Sequence, residues 1–589
     1  MTKLTRTLAC TIGLLFATQS PAADRAAVDA YPAFFDGPHR TLPHTHAQLD
    51  FRDNPPVTEK VEVKLLGEPG PATKAQLRVS FAKQEPLPKR IDIKLGTQTV
   101  TLTDTGQAGD EKAGDQIFTG PMLFDVPAFI KELEQRAALA RKFPSVPAFH
   151  GRALIGKREV ELFDPAQIKQ GAVIRIPMPV GFPAIIDRDR ELMVTATSVV
   201  EDPSRTFDPC SGTGSAMAPW TFGRLMQQMA NQPLTGLDPA EFTRRWLRRW
   251  EVAQTVNDFN VLARPSITNT IISPWPKLPD GRLDISQAPF RLLAIVNRID
   301  LRQNLTYGGG SAGELRFVFG AVDLNACKTN PNAGVLPFTV IFEYGVKKSS
   351  CFDLHAYAQQ WHALGGLVLG SAPYNAALQT ITDSVTLANA DPAKPNGSAL
   401  NQLRTNEIAL QSPWELREFR LDPLLSGNLS QVTVKQTPDL SLNNTAVVRD
   451  YINVNQAAIL NGTYQVPLEF PLGTPFLGGS SPTPFGIFWN GTPVITTLEA
   501  RHLFSLGTCS GCHAGETSTV FTHVTPRPPN TPASLSNFLT GLGQPTPNPV
   551  PPPANHTFGD LERRAQDLSA LVGSSCIHFI GFRPLLMTH

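Results

Sequence analysis

Near the start of the chain, apolar residues recur at every second position. The sets are Val61, Val63 and Leu65; Leu77, Val79 and Phe81; Ile91, Ile93 and Leu95; then Val100 and Leu102. A period of two turns one row of side chains inward, so the pattern predicts short antiparallel strands across residues 56–180. "REVELF" and "VIRIP" continue it. In "VPAFIKELEQRAALARKF" the period changes: Phe129, Leu133 and Ala137 share one helical face, which predicts a helical insert. Residues 181–495 mix both periods. Trp220, Leu225, Met226 and Met229 are helically spaced. So are Phe242, Trp246 and Trp250, behind Asp238 as N-cap and Pro239 at the first helical position. Such an aromatic stripe reads as core, with Arg244, Arg245, Arg248 and Arg249 on the solvated side. "FRLLAIVNRIDLR", "GELRFVFGAVDL", "LPFTVIFEYGV" and "WELREFRLDPL" read as strands, and "FDLHAYAQQWHALGGL" as a helix between them. Strands mixed with helices predict an α+β domain. Residues 496–589 hold a Pro-rich stretch and then an amphipathic helix, "FGDLERRAQDLSALV".

A chain of 589 residues exceeds one ordinary domain, and the patterns divide it. "MTKLTRTLACTIGLLFATQSPAADR" has Lys3 and Arg6, a short apolar run and small residues at the end, so 1–22 reads as a secretory signal. The expected location is outside the cytoplasm: periplasmic, outer surface or secreted. Residues 23–55 read as an extended arm, and His39, His44 and His46 in it lack the further ligands of a metal set. No later run is long and apolar enough to span a bilayer. A net charge of +1 gives no global attraction to nucleic acid. Cys10 leaves with the signal, so Cys210, Cys327, Cys351, Cys509, Cys512 and Cys576 remain. An oxidising compartment favours pairing. Cys327 and Cys351 flank one strand and are the expected bridge; elimination then assigns Cys210 to Cys576.

The central region contains no nucleophile elbow, zinc-protease helix, phosphate loop or dinucleotide fingerprint. Glu314, Glu343, Glu407, Glu415 and Glu418 stand near Arg298, Arg302, Arg316, Arg404, Arg417 and Arg420, which can pair with them. The charges of "ELREFR" read as a solvated sheet face.

"DTGQAGDEKAGDQIFTG", Asp104 to Gly120, resembles the Asp/Gly hairpin of immunoglobulin-like modules in bacterial surface proteins. The resemblance implies a β-sandwich for 56–180 and a cell-surface ligand as one class of partner. Asp104, Asp110 and Asp115 are either turn caps or calcium ligands, and the turn is the preferred reading.

"HLFSLGTCSGCHAGETS" carries the chemistry. Cys509 and Cys512 two residues apart, with His513 next, suit three structures: a small disulfide, a zinc set completed by His523, or covalent haem. For haem, the thiols add to two vinyl groups and the imidazole takes the iron. "EARHLFSLGTCSGCHAG" resembles the first helix of c-type cytochromes. That resemblance implies one haem c held by Cys509 and Cys512, His513 as proximal ligand, Phe504 packed on the haem edge, and electron transfer to a redox partner. Family members place a Met ligand further on, whereas Met587 is the only later Met here and the intervening chain is Pro-rich. The C-terminal region is therefore expected to be cytochrome-like or irregularly helical. His523 becomes the distal ligand, ahead of His556 and His578. The alternative reading is a secreted, non-enzymatic binding protein whose C-x-x-C is a structural disulfide.

Overall fold

The computed structural model describes residues 58–573, apart from 82–89, 131–151, 162–168, 177–185, 303–311, 548–554 and a few shorter stretches. The signal segment, the arm, the body of the helical insert, Cys576, His578 and Met587 lie outside the described residues. The described chain is a mixed structure of helices and antiparallel sheets.

The alternating segments form strands. They are β1 (Thr58–Leu65), β2 (Thr73–Phe81), β3 (Arg90–Leu95), β4 (Gln98–Thr103), β5 (Ile117–Phe124), β6 (Arg152–Ile155), β7 (Arg158–Glu161) and β8 (Val173–Ile176). Their order in one antiparallel sheet is β3-β4-β5-β2-β1-β8-β6-β7. Val63 and Leu65 on β1, and Leu77 and Val79 on β2, are buried as the period of two requires.

A second sheet begins at β9 (Met193–Val194), and β10 (Gln254–Val256) and β11 (Phe259–Val261) form a separate hairpin. The second sheet continues as a meander of β12 (Phe290–Arg298), β13 (Glu314–Val322), β14 (Val335–Gly345), β15 (Leu400–Glu407), β16 (Trp414–Leu421) and β17 (Leu429–Val432), in the order β17-β16-β15-β14-β13-β12-β9. A short β18 (Ser481–Thr483) pairs with β16. Two helices cover one face: α1 (Phe222–Ala230), capped by Thr221, and α2 (Pro239–Glu251), where Asp238 accepts from the amides of Ala240 and Glu241. Phe222 stacks on Phe290 at 4.1 Å, and Trp250 lies 5.1 Å from Phe419. Trp220, Phe242, Trp246 and Trp250 are buried in this core, as the stripe predicts. Helices α3 (Cys351–Gly365) and α4 (Ala372–Thr386) add to it.

The opposite face departs from the sequence reading. β16 is buried along nearly its whole length, Glu415, Arg417 and Glu418 included, so "ELREFR" is not a solvated face. The C-terminal stretch lies over this face. Cys512, Val524, Phe538, Leu539, Leu561 and Leu568 belong to the same core cluster as the sheet. The stretch includes α5 (Leu498–Leu506), α6 (Cys509–Cys512) and α7 (Asp560–Gly573). Arg302 on the sheet side meets Asp567 of α7 at 2.5 Å, and Arg563 of α7 meets Asp300 at 2.9 Å. The C-terminal stretch thus shares the central core instead of forming a separate region.

The disulfide also differs from expectation. Cys327 bonds Cys210, with 5.4 Å between Cα atoms, in place of the Cys327–Cys351 and Cys210–Cys576 pairs. Asp208 beside Cys210 is held at 2.9 Å by Arg291 of β12, next to the strand that leads into Cys327. The sheet thereby brings together cysteines 117 residues apart, a closeness that sequence spacing does not encode.

Candidate functional site

Helix α5 ends at Gly507, whose amide bonds the carbonyls of Leu503 and Phe504. Thr508 then caps α6: its hydroxyl accepts from the Gly511 amide at 3.0 Å and from the Trp489 indole at 2.8 Å. Gly511 is required by space, since a Cβ there would stand 2.1 Å from the Ser505 carbonyl oxygen. This turn places Cys509 and Cys512 on one short helix, both buried and both free thiols. No disulfide joins them. Burial pushes the Cys509 thiol up to about 11; burial and the neighbouring Cys509 also push Cys512 well above the ordinary thiol value.

His513 is fixed from both ends. Its Nδ1 donates to the Phe521 carbonyl at 2.6 Å, and the Phe521 amide donates to the His513 carbonyl at 3.2 Å. A carbonyl only accepts, so Nδ1 carries the proton and Nε2 holds the lone pair. Phe521 itself has φ +61°, unusual for a residue with a side chain, and its ring stacks on Trp414 at 4.9 Å. Burial lowers His513 to about 4, so the imidazole is neutral, as a metal ligand must be.

His523 packs beside it, with ring centroids 4.4 Å apart. Its Nδ1 meets the Ser536 hydroxyl at 2.8 Å, and its Nε2 lies 3.4 Å from the Cys512 sulfur. Burial lowers its pKa strongly, and His513 adds to the effect.

One residue outside the motif ties the segment together. Glu516 takes both terminal nitrogens of Arg501, at 2.9 and 2.7 Å, and His502 Nδ1 at 2.5 Å. Burial acts to raise this carboxyl, but His502 and Arg501 outweigh burial and hold it at about 2. Glu516 thereby clamps α5 to the loop that follows His513.

Between the segment and the sheet lies a slot. Val296, Val318, Ile341 and Leu416 line its sheet wall together with Arg298, Arg316, Thr339, Glu343, Arg404 and Asn406. His513, His523, Val524, Leu539 and Arg564 line the other wall. The wall runs from β9 to β16, about 24 Å at the usual strand spacing. The slot holds about 580 Å³ free of atoms, counting its open mouth.

The motif residues thus divide. His513 and His523 face the slot together, while Cys509 and Cys512 do not line it. Phe504 lies elsewhere, in an aromatic cluster with Tyr451 at 5.6 Å and Tyr464 at 6.0 Å. The zinc set does not assemble: among the described residues, the one group of three or more metal-type ligands with mutually close donor atoms is Asp104, Asp110 and Asp115. In that group Asp110 accepts from Gly106 and Asp104 from Gly114, at 2.6 Å each, which caps the turn. Glu516, Phe521 and Arg564 are absent from the sequence reading. Arg298, Arg316 and Arg404 appear there only as ion-pair partners.

Comparison with protein-family models, with curated proteins and with solved structures finds no match to this chain.

Proposed function

We propose that the chain carries one covalently bound haem c and transfers electrons. The observation that carries this reading is His513: a neutral, buried imidazole whose lone-pair nitrogen is set by the Phe521 carbonyl, directly after two free thiols and lining a slot. Cys509 and Cys512, which do not line the slot, would have to turn toward it to hold the porphyrin, and His513 would hold the iron. A haem there supplies a reversible one-electron centre. The protein's own residues supply a sheet wall, a fixed imidazole and a row of buried guanidinium groups.

His523, whose ring packs 4.4 Å from that of His513 and which also lines the slot, would be the second imidazole to hold the iron. His523→Ala is then expected to keep covalent haem and change a low-spin spectrum to high-spin; an unchanged spectrum removes His523 from the iron.

The deciding experiment is haem staining of the denatured full chain, expressed in a periplasm with haem-attachment machinery. Covalent haem with a Soret band is expected, and Cys512→Ala should abolish covalent retention. Unstained protein of unmodified mass would overturn the reading. It would favour the alternative, an exported binding protein, although the unbonded Cys509 and Cys512 do not support a disulfide in that role. The Asp/Gly hairpin would suit an immunoglobulin-like module in that alternative, although β1–β8 form one sheet instead of the two of a sandwich. No helix among the described residues is long and apolar enough to cross a membrane.

A further inference from the structure

Guanidinium groups outnumber carboxylates along the slot's wall: Arg298, Arg316, Arg404 and Arg564 line it with one carboxylate, Glu343. Each of the four guanidinium groups is also paired with a carboxylate that does not line the slot. Asp300 takes Arg298 at 2.9 and 3.0 Å. Glu314 takes Arg316 at 3.0 and 2.7 Å. Glu418 takes Nε of Arg404 at 3.2 Å, and Asp560 takes Arg564. None of these four carboxylates belongs to the slot wall. Glu343 lies between Arg316 and Arg404, at 3.5 and 3.7 Å, too far for close hydrogen bonds.

Antiparallel register produces this arrangement. Arg298 stands opposite Glu314, Arg316 opposite Glu343, and Arg404 opposite Glu418. The alternation places all six on one sheet face. Each anchoring carboxylate fixes its guanidinium, so the cations are preorganised and no flexible side chain has to be ordered on binding. Buried guanidinium groups are costly to desolvate and favour an anion of matching shape; planar carboxylates and oxyanions fit their fork.

We propose that this half of the slot is a binding site for an anionic oxygen group, a carboxylate or small oxyanion, held by Arg298, Arg316, Arg404 and Arg564. Two sources share that chemistry. One is the pair of carboxylate arms of the porphyrin, which rests on the haem reading. The other is a free small anion, which does not. A slot lined by the imidazoles and by a row of guanidinium groups accommodates either.

The experiment compares two full-length chains by calorimetric titration with sodium formate and with inorganic phosphate. One is the wild type expressed with haem-attachment machinery; the other is Cys512→Ala. If Cys512→Ala fails to fold by circular dichroism, wild type made without that machinery replaces it. Saturable anion binding by the haem-free chain alone assigns the site to the porphyrin carboxylates. Binding by both chains assigns it to a free anion. A wild type that lacks haem yet binds anion removes the haem reading and keeps the site. A folded haem-free chain that binds neither anion overturns the proposal. Arg316→Lys keeps a cation beside Glu314 but loses the fork, and binding should weaken at least tenfold; unchanged affinity would place the anion elsewhere and overturn the assignment.

Discussion

Glu516 shows how much one side chain outside a motif can decide. It is fully buried and accepts from Arg501 and His502, so its removal takes the carboxylate away from two buried groups. Glu516→Gln is expected to cost about 3 kcal/mol in urea unfolding, the range for breaking a buried pair. The pH dependence has a definite sign. Its folded value, about 2, lies below the ordinary 4.5. The stabilisation is therefore complete above pH 4.5 and lost as pH falls toward 2, amounting to roughly 3 kcal/mol. Acid unfolding of wild type and Glu516→Gln should converge below that window. The C-x-x-C-H pentad was legible because its chemistry is local. Glu516 was not, because an acidic residue three positions after His513 reads as solvated surface until Arg501 and His502 are seen around it.

At the scale of elements, local patterns foretold type well. Asp238, Pro239 and the Phe242–Trp246–Trp250 stripe describe α2 as it stands. Asp238→Ala should cost about 1 kcal/mol through the lost cap. Trp250→Ala should cost roughly 3–5 kcal/mol, because a fully buried indole beside Phe419 leaves a cavity. Denaturant titration of both variants tests that ranking. β15 escaped the sequence reading: "LNQLRTNE" offers few apolar positions, since one of its faces carries Gln402, Arg404 and Asn406 into the buried polar layer. The disulfide escaped for another reason: pairing depends on which loops the sheet brings together. Peptide mapping without reduction should recover the Cys210–Cys327 link. Replacing both cysteines by serine should cost about 3–5 kcal/mol, in keeping with a long closed loop.

At the scale of the whole molecule, the central sheet is a layer between two covers. α1 and α2 cover an aromatic face, and the C-terminal stretch covers a face of paired charges and apolar residues. A chain ending at residue 495 would expose those ion pairs along with the apolar surface that Phe538, Leu539, Leu561 and Leu568 now cover. Such a fragment should bind a hydrophobic dye and lose cooperative unfolding; a cooperative transition like that of the full chain would refute the shared core. By itself the sequence determined the strands of the first sheet, the capped aromatic helices and the thiol–imidazole pentad, because each is written in spacings of a few residues along one backbone. Tertiary structure alone decided that "ELREFR" is buried, that Cys210 meets Cys327, and that His513 and His523 face a row of arginines across a slot. Those outcomes depend on contacts between segments far apart in sequence, where burial sets the energy and the local pattern carries no record of the partner.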